Sequence, residues 1–339
     1  MRERKTILDV KGLKTSFFTD DGEVPAVDNI DFHIREGEVL GIVGESGCGK
    51  SVTSLSIMGL VPSPPGKITG GEILFQDKDL TKLNEKKMRA IRGNDIAMIF
   101  QEPMTSLNPL FTIGDQLREA IKIHKRDWSK KQIQERAVEM MKLVGLPRAE
   151  DLMKEYPHQL SGGMRQRVMI AMALLCDPKV LIADEPTTAL DVTIQAQILK
   201  LIKNLNETLN TAVLLITHDL GVVAETCERV IVMYAGKVVE EGPVHTIFKD
   251  PQHPYTRGLL ESVPDMRFKK ERLYSIPGNV PKPGSIRTGC KFAARCEFAF
   301  DRCLNENPDL YQTADDHQTR CFLFDPKEVQ AHDRTVVKS

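Results

Sequence analysis

An apolar run, Val39 to Val43, empties directly into Gly44-Glu45-Ser46-Gly47-Cys48-Gly49-Lys50-Ser51. This order constrains the fold more than anything else in the chain. Five consecutive apolar residues read as a strand buried on both faces, as in a covered parallel sheet. Gly44, Gly47 and Gly49 let the backbone wrap so that successive N–H groups point inward at an anion. Val52, Leu55 and Ile57/Met58 then start a helix whose positive N-terminal end favours the same anion. Lys50 is placed to reach the β- and γ-phosphates of a nucleotide, and the Ser51 hydroxyl to ligate Mg²⁺.

Two further buried strands follow the same logic. Val180 to Ala183 ends in Asp184-Glu185, and Ala212 to Ile216 ends in Thr217-His218-Asp219. In phosphate-loop NTPases an aspartate so placed holds the Mg²⁺ shell, and the adjacent Glu185 can polarise an attacking water as general base. Ser161 reads as a helix N-cap, with Gly162 and Gly163 exposing N–H groups at the start of a helix running through Ala173. That anion site lies more than a hundred residues from Lys50 and has no lysine or aspartate of its own nearby. Between Gln101 and Ser161 the periodicity is helical. Ile113, Leu117 and Ile121 share one face, Ser129 and Gln132 form a capping box, and Ile133, Ala137, Met140/Met141 and Val144 continue the pattern as core.

These residues, in this order, resemble the ATP-binding subunit of an ABC transporter over about the first 250 residues. The resemblance implies an α/β P-loop nucleotide-binding domain, with a RecA-like core, an antiparallel β subdomain and a helical subdomain at about residues 102–175. The domain is expected at residues 1–252. Nucleotide contacts are then expected at Gly44, Glu45, Ser46, Gly47, Cys48, Gly49, Lys50, Ser51 and Val52. Phe17 resembles the aromatic that stacks on adenine, with Phe18 as the alternative. Gln101, after the strand Ile96 to Phe100, resembles the glutamine that touches Mg²⁺ and the lytic water and begins the loop sensing the membrane subunit. Asp191, after Ala189-Leu190, resembles the dimer-contact aspartate, and His218 the switch histidine on the γ-phosphate. Ser161, Gly162 and Gly163 would close over ATP held by an opposite subunit. Lys50, Gln101, Glu185 and His218 are thus the expected catalytic set, and Ser51, Gln101 and Asp184 the Mg²⁺ set.

Composition sets limits. A formal net charge of −1 gives no support for nucleic-acid binding. No apolar run approaches the roughly 18 residues needed to span a bilayer, and Met1 to Lys5 lacks the apolar stretch of a signal peptide. The expectation is a peripheral protein on the cytoplasmic face of the inner membrane, attached through partners.

Glu102-Pro103-Met104-Thr105-Ser106-Leu107-Asn108-Pro109 resembles the dipeptide, oligopeptide and nickel branch of ABC importers, as does the segment opened by His253-Pro254-Tyr255-Thr256-Arg257. Residues 253–339 are expected to form a small, irregular C-terminal extension, with Ile276 to Gly284 as linker. Four of the seven cysteines lie there: Cys290, Cys296, Cys303 and Cys321, with five, six and seventeen residues between neighbours. Four thiolates suit a [4Fe–4S] cluster or a zinc site, and the tight C-x₂₋₄-C pairs of zinc ribbons are absent. Unligated thiols are the third reading; disulfides are disfavoured in a reducing compartment. The resemblance to peptide-importer ATPases favours the cluster, in a structural role. His317, near Cys321, reads as a surface residue. Cys48 can point away from nucleotide, and Cys176 and Cys227 read as core or helix-end residues.

The resemblance also implies partners: a second, related ABC ATPase subunit, two transmembrane permeases and an extracytoplasmic substrate-binding protein. The function expected is ATP-driven import of dipeptides or oligopeptides. Nickel import is the alternative within transport. A non-transport ABC ATPase or a redox-responsive module is the alternative outside it, although no long heptad run of the repair ATPases occurs.

Overall fold

The computed structural model describes residues 4–101, 106–187, 191–263 and 274–328. The chain opens with β1 (Thr6–Thr19), β2 (Gly22–Arg35) and β3 (Val39–Val43), the last buried at all five positions. Helix α1 (Lys50–Met58) follows the glycine loop, then β4 (Gly66–Phe75), β5 (Lys78–Asp79), α2 (Glu85–Ile91) and β6 (Ile96–Ile99). Four helices come next: α3 (Ile113–His124), α4 (Lys130–Leu143), α5 (Ala149–Leu152) and α6 (Gly162–Leu174). Alternation resumes with β7 (Val180–Asp184), α7 (Val192–Leu209), β8 (Ala212–Ile216), α8 (Leu220–Thr226), β9 (Arg229–Tyr234) and β10 (Lys237–Pro243). The rest contributes α9 (Val244–Lys249), α10 (Pro254–Glu261), α11 (Asp301–Asn305), β11 (Tyr311–Ala314) and β12 (His317–Thr319).

The described chain divides into two compact units. The first comprises the start through Asp9, His33–Val39 and Ile73–Ile216. Within it β6, β7 and β8 run parallel, with Ile96 opposite Val180 and Asp184 opposite Ile216. Every position of β7 and β8 is buried, which is why both read as unbroken apolar runs. The helical group packs on the face that periodicity marks. Ile113, Leu117, Ile121, Ala137, Met140, Met141 and Val144 are all fully buried. The Ser129–Gln132 capping box forms as expected, and Thr112 caps α3 by accepting from the Asp115 amide.

The second unit comprises Val10–Phe32, Leu40–Glu72 and the chain from Thr217 onward. Here β3 pairs parallel with β9, Leu40 opposite Arg229 and Val43 opposite Val232. Strand β9 pairs antiparallel with β10, β10 with β12, and β12 with β11. Its core centres on Tyr234, Tyr255 and Phe292, whose rings stand 4.6 to 5.4 Å apart, among Val43, Val232, Val239 and Ile247. The long strands β2, β1 and β4 lie side by side in that order.

Residues 276–284 are irregular, as the proline- and glycine-rich sequence requires. Beyond them the chain is more ordered than a tail: Glu240 of β10 faces Thr319 of β12, so the C-terminal hairpin extends the sheet that carries β3. The reading of His317 as a surface residue is corrected by this pairing. It is only 3% exposed, and its Nε2 lies 2.8 Å from Glu240 Oε1. A fully buried carboxylate needs donors on several sides. Glu240 finds them in His317 and in the amides of Gln252 and His253, at 2.6 and 3.0 Å.

Candidate nucleotide site

Strand β3 delivers the chain into a loop that only glycine can build at two points. Gly44 has φ 149° and Gly49 φ 107°. A side chain at Gly44 would place Cβ 2.2 Å from the Met233 carbonyl oxygen, and at Gly49 2.6 Å from that of Ala26. Gly47, at φ 77°, forms the exposed tip with Ser46. Lys50 is buried, and its ammonium donates to the carbonyl oxygens of Gly44 and Glu45 at 2.7 and 3.1 Å. The loop is anchored from behind by the Gly236 amide, which donates to the Cys48 carbonyl at 2.9 Å. The Cys48 side chain is fully buried, and burial pushes its thiol pKa up, so its outward contribution is backbone alone. Helix α1 has Gly49 as its N-cap and no side-chain cap, so its positive N-terminal end faces the glycine loop. Ser51 and Val52 sit half-buried in that turn. Phe17 is half-buried with its ring against Gly66, whereas Phe18 is 49% exposed.

In the first unit β7 ends with Asp184, buried at 3% exposure, and Glu185 turns out of the strand at φ 47°. This left-handed backbone is costly for a non-glycine residue; it is held by the Glu185 amide donating to the Ile216 carbonyl at 2.9 Å. Gln101, following β6, donates from Nε2 to Glu185 Oε2 at 3.0 Å. Two residues chosen from separate stretches of sequence therefore meet. Helix α6 is tied to the same turn: the buried Gln166 amide group donates to the Pro186 carbonyl. At its N-terminus Ser161 Oγ accepts from the Met164 amide at 3.3 Å. Gly162 faces open space, and Gly163 lies against Ile194 of α7. Asp191 caps α7 by accepting from the Ile194 amide at 2.9 Å. Ala189 and Leu190 lie outside the described residues, as do Glu102 to Thr105. In the second unit His218 follows Thr217 and precedes Asp219, which caps α8. The Thr217 amide donates to the Ile42 carbonyl at 3.2 Å.

Cys290, Cys296, Cys303 and Cys321 all line one small cavity of about 20 Å³, walled by Phe292, Phe298 and Phe322. Burial pushes the Cys290 thiol up to about 11 and Cys321 to about 12, and raises Cys296 as well. Among the described residues no group of three or more His, Cys, Asp or Glu side chains is arranged to hold a metal ion. Four thiols thus line one apolar cavity that has no carboxylate in its wall.

Three residues carry pairings at or beside the phosphate loop that the sequence did not signal. Arg295 grips the Glu45 carboxylate with two hydrogen bonds, at 2.7 and 3.1 Å. The Tyr255 hydroxyl accepts from the Glu45 amide at 2.8 Å. Lys291 reaches Asp28 and the Ala235 carbonyl at 3.1 and 3.0 Å. Each pairs across more than fifty residues of chain, and local patterning does not reach that far.

Residues 27–188 match the family model described as ABC transporter, and residues 239–303 match that described as oligopeptide/dipeptide transporter, C-terminal region. The oligopeptide transport ATP-binding protein AppD of Bacillus subtilis is 57% identical over 320 residues, covering 94% of this chain and 97% of that protein. The dipeptide transport ATP-binding protein DppD of the same organism is 53% identical, covering 96% and 97%. Among solved structures, the ATP-binding cassette MJ0796, as a post-hydrolysis dimer bound to ADP and Pi, superposes with a TM-score of 0.62 at 32% identity. It covers 70% of this chain and 98% of that one. The chain cbiO1 of Clostridium perfringens gives 0.62 at 30% identity, covering 73% and 92%. A phosphate loop on a parallel sheet, an acidic strand end and near full-length relatives lead to one conclusion: the chain belongs to the ATP-hydrolysing proteins of the ABC transporter family.

Proposed function

We propose that this chain powers the import of dipeptides or oligopeptides as the ATPase subunit of an ABC transporter. The observation that carries the reading is the match of residues 239–303 to the oligopeptide/dipeptide C-terminal region, within a chain aligned end to end with peptide-transport relatives. Residues 1–252 act as the nucleotide-binding domain and 253–339 as the extension specific to this branch. Its partners are a second, related ATPase, two transmembrane permeases and an extracytoplasmic substrate-binding protein. No described helix is long and apolar enough to cross a membrane, which suits peripheral attachment at the cytoplasmic face through the permeases.

ATP is bound with its base on Phe17 or Phe18 and its phosphates on Gly44 to Val52. Ser161, Gly162 and Gly163 of one ATPase close over nucleotide held by the other, and Asp191 lies at that interface. Ser51, Asp184 and Gln101 would hold Mg²⁺, which supplies charge neutralisation at the phosphates. Glu185 orients and deprotonates the attacking water, while Lys50 and His218 stabilise charge spreading over the γ-phosphate. Cys290, Cys296, Cys303 and Cys321 would hold a [4Fe–4S] cluster, whose contribution there is to cross-link a segment with few apolar residues of its own.

Uptake of labelled di- and tripeptides, and separately of nickel, by cells lacking this chain tests the reading. Loss of peptide uptake, restored by the wild-type chain and not by Glu185→Gln, is the expected result. Intact peptide uptake with failed nickel uptake would overturn it.

A further inference from the structure

Arg295 stands one residue before Cys296, yet its side chain is directed at the phosphate loop and is 5% exposed. Nη1 and Nη2 donate to the two carboxylate oxygens of Glu45, a fork of which lysine could supply the charge but only one of the bonds. The remaining guanidinium donors are used on the Pro277 carbonyl at 2.8 Å, the Tyr234 hydroxyl at 3.3 Å and the Ile276 carbonyl at 3.4 Å. The group also lies over the Tyr234 and Phe292 rings, 5.7 and 5.9 Å from their centroids. Glu45 is consequently clamped at three points. Arg295 holds its carboxylate, the Tyr255 hydroxyl accepts a hydrogen bond from its amide, and its carbonyl accepts from Lys50 Nζ.

We propose that Arg295 is a positioning residue for nucleotide binding: it neutralises Glu45 and fixes it, so that the loop faces the triphosphate without an unpaired carboxylate. The proposal rests on residues 44–51 being the nucleotide site. Two physical effects act in the same direction. An unpaired carboxylate within the loop would repel the phosphates, and at short range in a partly buried site that repulsion is substantial. A loosened Glu45 would also release the carbonyl that orients Lys50. The C-terminal extension thereby contributes directly to the affinity of a loop 250 residues away.

Equilibrium binding of MgATP and MgADP to the full chain, at low and high salt, tests this. Arg295→Met should weaken binding about tenfold at low salt, with a smaller loss at high salt as the carboxylate is screened. The double variant Arg295→Met/Glu45→Gln should recover most of that loss, a reversal that mere loosening of the extension would not produce. Binding by Arg295→Met within about twofold of wild type, or a double variant as weak as the single one, overturns the proposal. Thermal melting of the nucleotide-free chain shows whether Arg295→Met is folded. If it is not, Arg295→Lys carries the test: affinity within about threefold of wild type is expected, and a loss of about tenfold or more overturns charge masking. Lys50→Ala, run alongside, separates the two claims. Undiminished binding and undiminished turnover in that variant would together remove the site itself, whereas lost binding there with an unaffected Arg295→Met removes only the role of Arg295.

Discussion

Gln101 Nε2 donates to Glu185 Oε2 at 3.0 Å, joining the end of β6 to the end of β7. Glu185 makes this bond from a left-handed backbone. Strain of this kind persists only where surrounding contacts enforce it. Glu185→Gln keeps the side-chain length while removing the base. Turnover should fall by about a hundredfold or more with nucleotide binding retained. Steady-state phosphate release and equilibrium nucleotide binding, measured together, check this, and near-normal turnover would remove Glu185 from the base role.

Lys50 behaves differently because its ammonium sits inside the loop on the Gly44 and Glu45 carbonyls. Lys50→Ala removes the cation proposed to meet the phosphates. Binding of MgATP should weaken about 10- to 100-fold, measured by titration calorimetry. A variant that binds normally but fails to turn over would shift Lys50 from binding to chemistry alone.

The four thiols lining one cavity make a chemical prediction. Protein prepared without oxygen should be brown, carry about four irons per chain and absorb broadly near about 400 nm. Replacing Cys290, Cys296, Cys303 and Cys321 by serine should abolish both colour and iron. Colourless, iron-free protein from the same preparation of wild type would end the cluster reading.

Asp28 supplies a pH test. Burial acts to raise its pKa, but Lys291 and Lys237, each 3.1 Å away, outweigh it and hold the carboxyl below its usual range. A carboxyl depressed in the folded state contributes stability that is fully present above the unfolded value of about 3.9 and is lost as pH falls through the folded one. Asp28→Asn should therefore lower the urea midpoint at pH 7, and the gap to wild type should close as the pH is taken well below 4. A gap that stays constant across that window would exclude the ion pair as its cause.

The parts legible in the sequence are those whose signal is local. Val39 to Val43 and the glycines after it dictate strand, loop and helix in succession, and Ser129 with Gln132 marks a helix start from only three positions. Ile113, Leu117 and Ile121 identify a buried face because helical spacing repeats within one element. The pairings of Arg295 with Glu45 and of His317 with Glu240 have no such repeat, being 250 and 77 residues apart. Strand β12 is three residues long, too short for alternation to register, so the sheet extension and the burial of His317 were hidden together. Asp191, read from the sequence as a contact residue, also caps α7 through its side chain.

The hairpin of β11 and β12 covers one flank of β10, whose other flank is taken by β9. A chain ending before Tyr311 would leave a row of β10 amide and carbonyl groups seeking partners, and exposed strands of this kind recruit other chains. Shortened versions should therefore self-associate rather than behave as smaller, equally soluble proteins, so the hairpin of β11 and β12 shields the sheet from other chains.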